Sequence, residues 1–348
     1  MKPCVLFAFN QEFYQRCVLP DPLERLTSFA DYVWDEDGSY LSESGIREAI
    51  REVNYVMIGS GCPKLTTEII EQGEKLKIIA DLDADRFAHR LDIETAFERG
   101  IRVVDTTNGS SYPVPEWALG LILVCLRNAG EHFRKLIHRE DDYWGPLNSP
   151  DFVSGELTEK RVGIVGGGHV GRRLVQLLQP FRTEIRVYDP YLPKVVPDLM
   201  GFLLTSLENV LRDSEIIVIC APLTPRTRRL IGREQLDLIR KGAVFVNVSR
   251  GPIVDPVPLI EKLQARELTA GLDVFDVEPL EKESPLRDLP NVFLSPHIAG
   301  VTRASYHRFF SIAVDEFARF FHGHETLFDM TPLVLANRRG LPLDSRET

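Results

Sequence analysis

The sequence predicts an α/β protein of two domains, each a parallel sheet wrapped by helices, and three observations carry that expectation. Short buried-type runs alternate with helix-periodic segments along most of the chain, the rhythm that builds parallel layers. A glycine turn of the form G-x-G-x-x-G, at Gly166, Gly168 and Gly171, separates one such run from a helical segment. The length of 348 residues also exceeds what one domain of roughly 150 residues would need.

Taken in order, Val5 to Phe9, Tyr55 to Ile58, Leu76 to Ala80 and Ile101 to Val104 read as buried strands. Between them, Leu65 to Gln72, started by Thr66 or Thr67, and Ile93 to Arg99, stopped by Gly100, read as helices. Pro113 and Pro115 then open one long helix, expected from Glu116 to about Ile137. A charged and aromatic connection follows from His138 to Thr158, containing Asp141, Asp142, Tyr143 and Trp144. Beyond it, Val162 to Val165, Glu184 to Tyr188, Ile216 to Cys220, Ala243 to Val248, Leu268 to Val274 and Val292 to Leu294 continue the strand series. A helix from Thr302 to about Phe321 closes the folded part, and the polar stretch Thr331 to Thr348 is expected to fray.

Composition excludes several function classes. A formal charge of −10 argues against a nucleic-acid or anionic-membrane surface. The five cysteines show no C-x-x-C pair and no Cys/His ligand spacing, so no metal is expected and a reducing, cytoplasmic setting is. Cys4 to Phe9 is too short for a signal-peptide core, and Trp117 to Leu126 is too short for a membrane span.

The stretch from Arg161 to Tyr191 is the most specific. Its first glycine permits the sharp turn, the second lets backbone N–H groups approach a pyrophosphate, and the third lets helix and strand pack closely. The helix N-terminus that follows supplies free N–H groups and a positive dipole end to an anion. Asp189 closes the next strand, eighteen residues past Gly171, where a carboxylate can accept from an adenosine ribose. A 2′-phosphate would be repelled there, so NAD(H) is expected in preference to NADP(H).

Three charged residues follow strands in this region: Arg250 in NVSRGPIVD, Glu278 in LDVFDVEPL and His297 in LSPHIAG. Hydride transfer between a nicotinamide and a hydroxyl or carbonyl carbon needs a group that moves the accompanying proton. Histidine, with an ordinary pKa of about 6.5, suits that task near neutrality. A carboxylate such as Glu278 can orient the imidazole, and the planar fork of Arg250 can grip a substrate carboxylate.

The motifs GIVGGGHVG, YDPY, PLTPRT, VNVSRGPIVD, LDVFDVEP and LSPHIAG together resemble the D-isomer-specific 2-hydroxyacid dehydrogenases. The resemblance is strong over about Gly100 to Ala304 and fainter before it. It implies two doubly wound parallel-sheet domains, a Rossmann NAD domain inserted in a flavodoxin-like substrate domain. The corresponding division is 1–112 for the first part of the substrate domain and 113–300 for the NAD domain. Residues 301–330 then form a helix returning to the first domain, and 331–348 a C-terminal tail.

The resemblance also implies a catalytic trio of Arg250, Glu278 and His297, with His297 as acid/base and Glu278 tuning it. The cofactor-binding set it implies comprises Gly166, Gly168, His169, Val170, Gly171, Asp189, Pro222, Thr227, Val248, Ser249, Arg250, Asp273, His297 and Gly300. Within it, His169 and Val170 lie on the diphosphate and Asp273 holds the nicotinamide carboxamide. The partner is then a small 2-hydroxy or 2-keto acid, and the protein a homodimer through its NAD domain.

The family's first domain usually carries a neutral glycine-rich loop that contacts the substrate carboxylate. Here the matching stretch runs Asp81-Leu82-Asp83-Ala84-Asp85-Arg86 and continues through Phe87, Ala88, His89 and Arg90. Asp83, Arg86, His89 and Arg90 are accordingly candidate substrate residues, for a polar polyol acid. Cys220 stands where a histidine is common, and Thr107-Asn108 where Pro-Gly is common. Glu278 argues against the related formate dehydrogenases, which place a glutamine beside the histidine. A nucleotide-sensing, corepressor-like protein and a phosphite or other oxyanion dehydrogenase share the trio and stand as alternatives.

Overall fold

The computed structural model describes residues 2–83, 88–140 and 155–340, and the chain divides into two compact units. Met1–Ser110 and Thr302–Thr348 form the first, and Ser111–Val301 the second. Each builds one all-parallel sheet.

In the first unit the strands are β1 (Cys4–Ala8), β2 (Asp31–Val33), β3 (Tyr55–Ile58), β4 (Ile78–Asp81) and β5 (Arg102–Asp105), in the order β2-β1-β3-β4-β5. That order is the flavodoxin-like doubly wound one. Val5, Leu6, Phe7 and Ala8 are all buried, as a parallel strand covered on both faces requires. One face packs on Ile46, Ile69 and Ile93 from the crossover helices. The other receives the helix Arg303–Phe321, whose start Thr302 caps by accepting from the Ser305 N–H. On that face Phe310 meets Phe7 edge-on at 5.7 Å between ring centroids, and Phe317 meets Tyr55 at 5.0 Å. Each such aromatic contributes about 1.5–3 kcal/mol by burial.

Two features of this unit differ from expectation. β2 carries no sequence signal, because its three residues are polar or half-exposed at a sheet edge. Residues Pro332–Arg339 form a helix where fraying was expected. Thr331 caps it by accepting from the Val334 N–H, Pro332 opens its first turn, Gly340 ends it in a left-handed conformation and Leu335 is buried. Its Arg338 pairs with Asp105 at 2.6 Å and Arg339 with Glu94, so the polar composition serves ion pairs rather than solvation. Residues 341–348 of the expected tail lie outside the described residues.

In the second unit the strands are β6 (Arg161–Val165), β7 (Glu184–Tyr188), β8 (Leu203–Leu204), β9 (Ile216–Ile219), β10 (Ala243–Asn247), β11 (Leu268–Leu272) and β12 (Val292–Leu294). Their order is β12-β11-β10-β9-β6-β7-β8. Counted within the unit, this is the Rossmann order 3-2-1-4-5-6 with a seventh strand beyond the sixth. Strand order reverses between the parallel neighbours β6 and β9, and that switch point opens the crevice at their carboxyl ends. The two-residue β8 was missed because so short an edge strand has no period to detect.

The long helix expected from Glu116 to Ile137 is two helices, Pro113–Leu126 and Ala129–Ile137. Asn128 breaks it with a left-handed backbone, φ 45°, which asparagine tolerates, and its side-chain amide bonds Glu131. Pro113 and Pro115 lie inside the first turn, where a missing N–H costs nothing. The apolar first helix lies close on β11: a Cβ at Gly271 would sit 3.0 Å from Leu121 Cβ and 3.1 Å from Cys125 Sγ. No described helix is long and apolar enough to cross a membrane. Asp141, Asp142, Tyr143 and Trp144 of the expected connection lie outside the described residues.

Candidate active site

The glycine turn at the end of β6 uses each glycine differently. Gly166 has φ 105°, and a Cβ there would lie 2.5 Å from the Ala221 N. A Cβ on Gly171 would lie 2.1 Å from the Gly166 carbonyl oxygen, so helix and turn touch through it. Gly168 is exposed, and a Cβ on it would meet nothing within 4 Å. The helix His169–Leu178 begins immediately after, with no side chain capping its first turn. An open face over backbone N–H groups at a helix start fits a diphosphate, so the residues present suit a dinucleotide. Gly171→Ala is expected to destabilise the unit by about 1–3 kcal/mol through overpacking and to weaken NADH binding. Thermal melting and a fluorescence titration with NADH check both effects.

Asp189, at the end of β7, is half-buried. Its Oδ2 accepts from the Gly167 N–H at 2.8 Å and its Oδ1 from the Tyr191 N–H at 2.9 Å. The carboxylate thus latches the glycine turn from the neighbouring strand. Past β9, Thr227 Oγ1 donates to the Pro222 carbonyl at 2.6 Å and closes the PLTPRT turn. Cys220, half-buried beside it, has its thiol pushed up to about 12 by burial and holds its proton at neutral pH. Past β10, the Val248 side chain is in the core, and Ser249 Oγ donates to the Ala221 carbonyl.

The three charged residues come together at the carboxyl ends of β10, β11 and β12. His297 Nδ1 and Glu278 Oε2 are 2.7 Å apart, and Glu278 Oε1 accepts from the Phe275 N–H at 3.0 Å. With Nδ1 committed to the carboxylate, Nε2 is the nitrogen available to a ligand. Arg250 is half-buried; burial lowers its pKa and the nearby Glu278 carboxylate opposes that shift, so the two sit within electrostatic reach. Arg250 Nη1 donates to the Ser249 carbonyl at 2.7 Å. A cavity of about 360 Å³ opens beside the pair, lined by Phe275, Glu278, Leu280, Leu294, Pro296 and His297.

The turns that carry these groups are tightly tied. A Cβ on Gly251 would lie 1.9 Å from the Phe275 carbonyl, so the Arg250 turn and the Glu278 turn meet backbone to backbone. Arg229 bridges them as well, donating to the Val254 carbonyl at 2.6 Å and to Asp276 at 2.9 Å. Asn247 Nδ2 donates to the Arg250 carbonyl at 3.1 Å. Asp273, fully buried, accepts from the Ile298 N–H on Oδ1 at 3.1 Å and from the Ala299 N–H on Oδ2 at 2.9 Å, leading into half-buried Gly300. Its carboxylate, expected to face a carboxamide, therefore also holds the histidine turn.

Arg229, Asn247, Ser295 and Trp117, whose indole N–H donates to Ser295 Oγ at 3.0 Å, support these turns without being among the residues expected from the sequence. Of these, Asn247 in NVSRGPIVD and Ser295 in LSPHIAG lie within motifs that could have drawn attention to them. Of the candidate substrate residues, Asp83, His89 and Arg90 belong to the first unit, after β4. Arg90 donates to the Gly59 carbonyl at 2.9 Å and pairs with Asp83. Arg86 lies outside the described residues. Among the described residues no group of three or more His, Cys, Asp or Glu could hold a metal ion.

An open glycine turn at the switch point, with an oriented imidazole and a guanidinium farther along the same sheet edge, is an arrangement chemically suited to hydride transfer with its accompanying proton. The chain belongs to the D-isomer-specific 2-hydroxyacid dehydrogenase family, whose NAD-binding domain matches residues 119–299. It is 34% identical over 287 residues to D-3-phosphoglycerate dehydrogenase of Methanocaldococcus jannaschii, covering 81% of this chain and 52% of that one. It therefore spans about half the length of that relative. It is 32% identical over 319 residues to glyoxylate reductase of Aeropyrum pernix, covering 89% of this chain and 92% of that one. D-mandelate dehydrogenase of Rhodotorula graminis shares the fold at a TM-score of 0.81, with 22% identity over 95% of this chain and 98% of that one.

Proposed function

We propose that the protein transfers hydride between NAD(H) and carbon 2 of a small D-2-hydroxy acid or its 2-keto partner. The bound nicotinamide supplies the hydride. The single observation that carries the reading is the 2.7 Å contact between His297 Nδ1 and Glu278 Oε2, which leaves Nε2 to exchange a proton with the substrate oxygen. In reduction His297 Nε2 donates that proton as the carbonyl becomes a hydroxyl, and in oxidation it takes the proton back. Glu278 fixes the ring and balances its positive charge. Arg250 offers a donor fork to the substrate carboxylate and polarises the adjacent carbonyl. Its partial burial strengthens that grip, because water competes less for the guanidinium.

The cofactor is NAD(H) rather than NADP(H), since Asp189 puts a carboxylate where a 2′-phosphate would lie. Asp189→Ala is expected to raise the NADH Michaelis constant about tenfold, with kcat changed far less. Steady-state kinetics over a range of NADH concentration checks this, and an unaltered Michaelis constant would remove Asp189 from the ribose site.

Glyoxylate and hydroxypyruvate, acids carried in the names of relatives, are the first substrates to try. A polar polyol acid, for which Arg86, His89 and Arg90 are the candidates from the sequence, is the second class. We further propose a homodimer formed through the second unit, working in the cytoplasm. Phe133, Leu136 and Ile137, exposed along one side of the helix Ala129–Ile137, support such an interface. The free cysteines suit a reducing compartment. Turnover of reduced nicotinamide against a panel of 2-keto acids tests the activity, and size-exclusion chromatography with light scattering tests the dimer.

A further inference from the structure

Behind the histidine turn runs a chain of hydrogen bonds that starts on a different element. Trp117, in the helix Pro113–Leu126, donates its indole Nε1–H to Ser295 Oγ at 3.0 Å. Ser295 Oγ donates in turn to Asp273 Oδ1 at 2.5 Å. Indole is a donor only, so it occupies an acceptor position of the hydroxyl and leaves the serine proton a single direction, onto the carboxylate. Ser295 is 4% exposed and Asp273 is 0% exposed. In such a place each donor counts, because no water replaces one that is lost.

What the chain braces is the backbone of His297. That residue has φ 53°, a left-handed conformation uncommon for a histidine. Its N–H donates to the Asp273 carbonyl at 2.8 Å, and the next two N–H groups, of Ile298 and Ala299, donate to the Asp273 carboxylate at 3.1 and 2.9 Å. The conformation persists because its surroundings over-determine it. A shift of the carboxylate moves the Ile298 and Ala299 amides together, and with them the turn that carries the imidazole.

We propose that Ser295 is a positioning residue for proton transfer. It acts through Asp273 to hold His297 in register with Glu278, and Trp117 fixes the direction of its hydroxyl. Its hydroxyl is committed to Trp117 and Asp273, so it acts through them. This inference rests on the activity proposed above, so its test has one arm that needs no turnover.

That arm is hydrogen exchange, followed by mass spectrometry, over the peptide containing Ile298 and Ala299. Ser295→Ala is expected to speed exchange there about tenfold, the equivalent of one lost hydrogen bond, while Ser295→Thr keeps the hydroxyl and stays near the wild-type rate. Trp117→Phe is expected to give a smaller acceleration. The second arm is kinetic. Ser295→Ala is expected to lower kcat about tenfold, with the Michaelis constants for NADH and keto acid changed much less, and Ser295→Thr is expected to recover it. Exchange and kcat both unchanged in Ser295→Ala would overturn the proposal. Faster exchange with an unchanged kcat would reduce Ser295 to a structural role and overturn it equally. Should the wild type turn over no keto acid, the proposed activity fails, while the exchange arm still reports whether the brace exists.

Discussion

Replacing His297 by asparagine is expected to lower kcat for keto-acid reduction about a thousandfold while NADH binding survives. The choice of asparagine follows from the backbone. His297 sits at φ 53°, and asparagine is among the few residues that occupy this region without much strain. Alanine would confound loss of the imidazole with movement of the turn. The asparagine amide cannot carry a proton to the forming hydroxyl at neutral pH, and it leaves Glu278 with only the Phe275 N–H of the two contacts described. Stopped-flow turnover and fluorescence titration with NADH separate the two effects. A variant with near-normal kcat would show that another group, or water, moves the proton.

The second large effect is expected at Arg250. Arg250→Lys preserves the positive charge and removes the planar fork, so it isolates geometry from charge. Two charge-assisted hydrogen bonds of about 1.5 kcal/mol each correspond to a loss in kcat/KM of roughly a hundredfold. Most of that loss is expected in the Michaelis constant for the keto acid, with NADH affinity nearly unchanged. Measured across several acids, the loss should be similar for all, because each presents the same carboxylate. A lysine variant equal to wild type would mean that the acid is held elsewhere, and the first-unit loop containing His89 would become the place to look.

The residues that made the second unit legible are those whose chemistry is local. Gly166 and Gly171 announce a turn because only glycine fits there, as the neighbouring Ala221 and Gly166 backbone atoms show, while Gly168 leaves the helix start open. Buried strands such as β9 and β10 read as unbroken apolar runs for the same reason: both faces are covered. Asp189 and the trio could be placed at strand ends before any coordinates, since strand ends are where polar residues follow apolar ones.

What stayed hidden is non-local or short. β2 and β8 owe their pairing to a neighbouring strand rather than to their own pattern. The break at Asn128 looked like continued helix because the apolar period runs through it, and only the left-handed backbone reveals the end. The helix Pro332–Arg339 had its cap, its proline and its terminal glycine in view, but polar composition outweighed them. Trp117 and Ser295 are 178 positions apart, and nothing in either stretch announces the other. Supports of this kind are satisfied across the fold, whereas motifs record only what is adjacent along the chain.

The most direct measurement is to mix the protein with NADH and hydroxypyruvate or glyoxylate, follow the loss of reduced nicotinamide absorbance, and determine the configuration of any chiral product. The account predicts stoichiometric NADH oxidation, with the D-isomer formed wherever carbon 2 becomes a stereocentre. NADH that binds at the glycine turn yet is oxidised by no 2-keto acid, or a product of the L configuration, would contradict it.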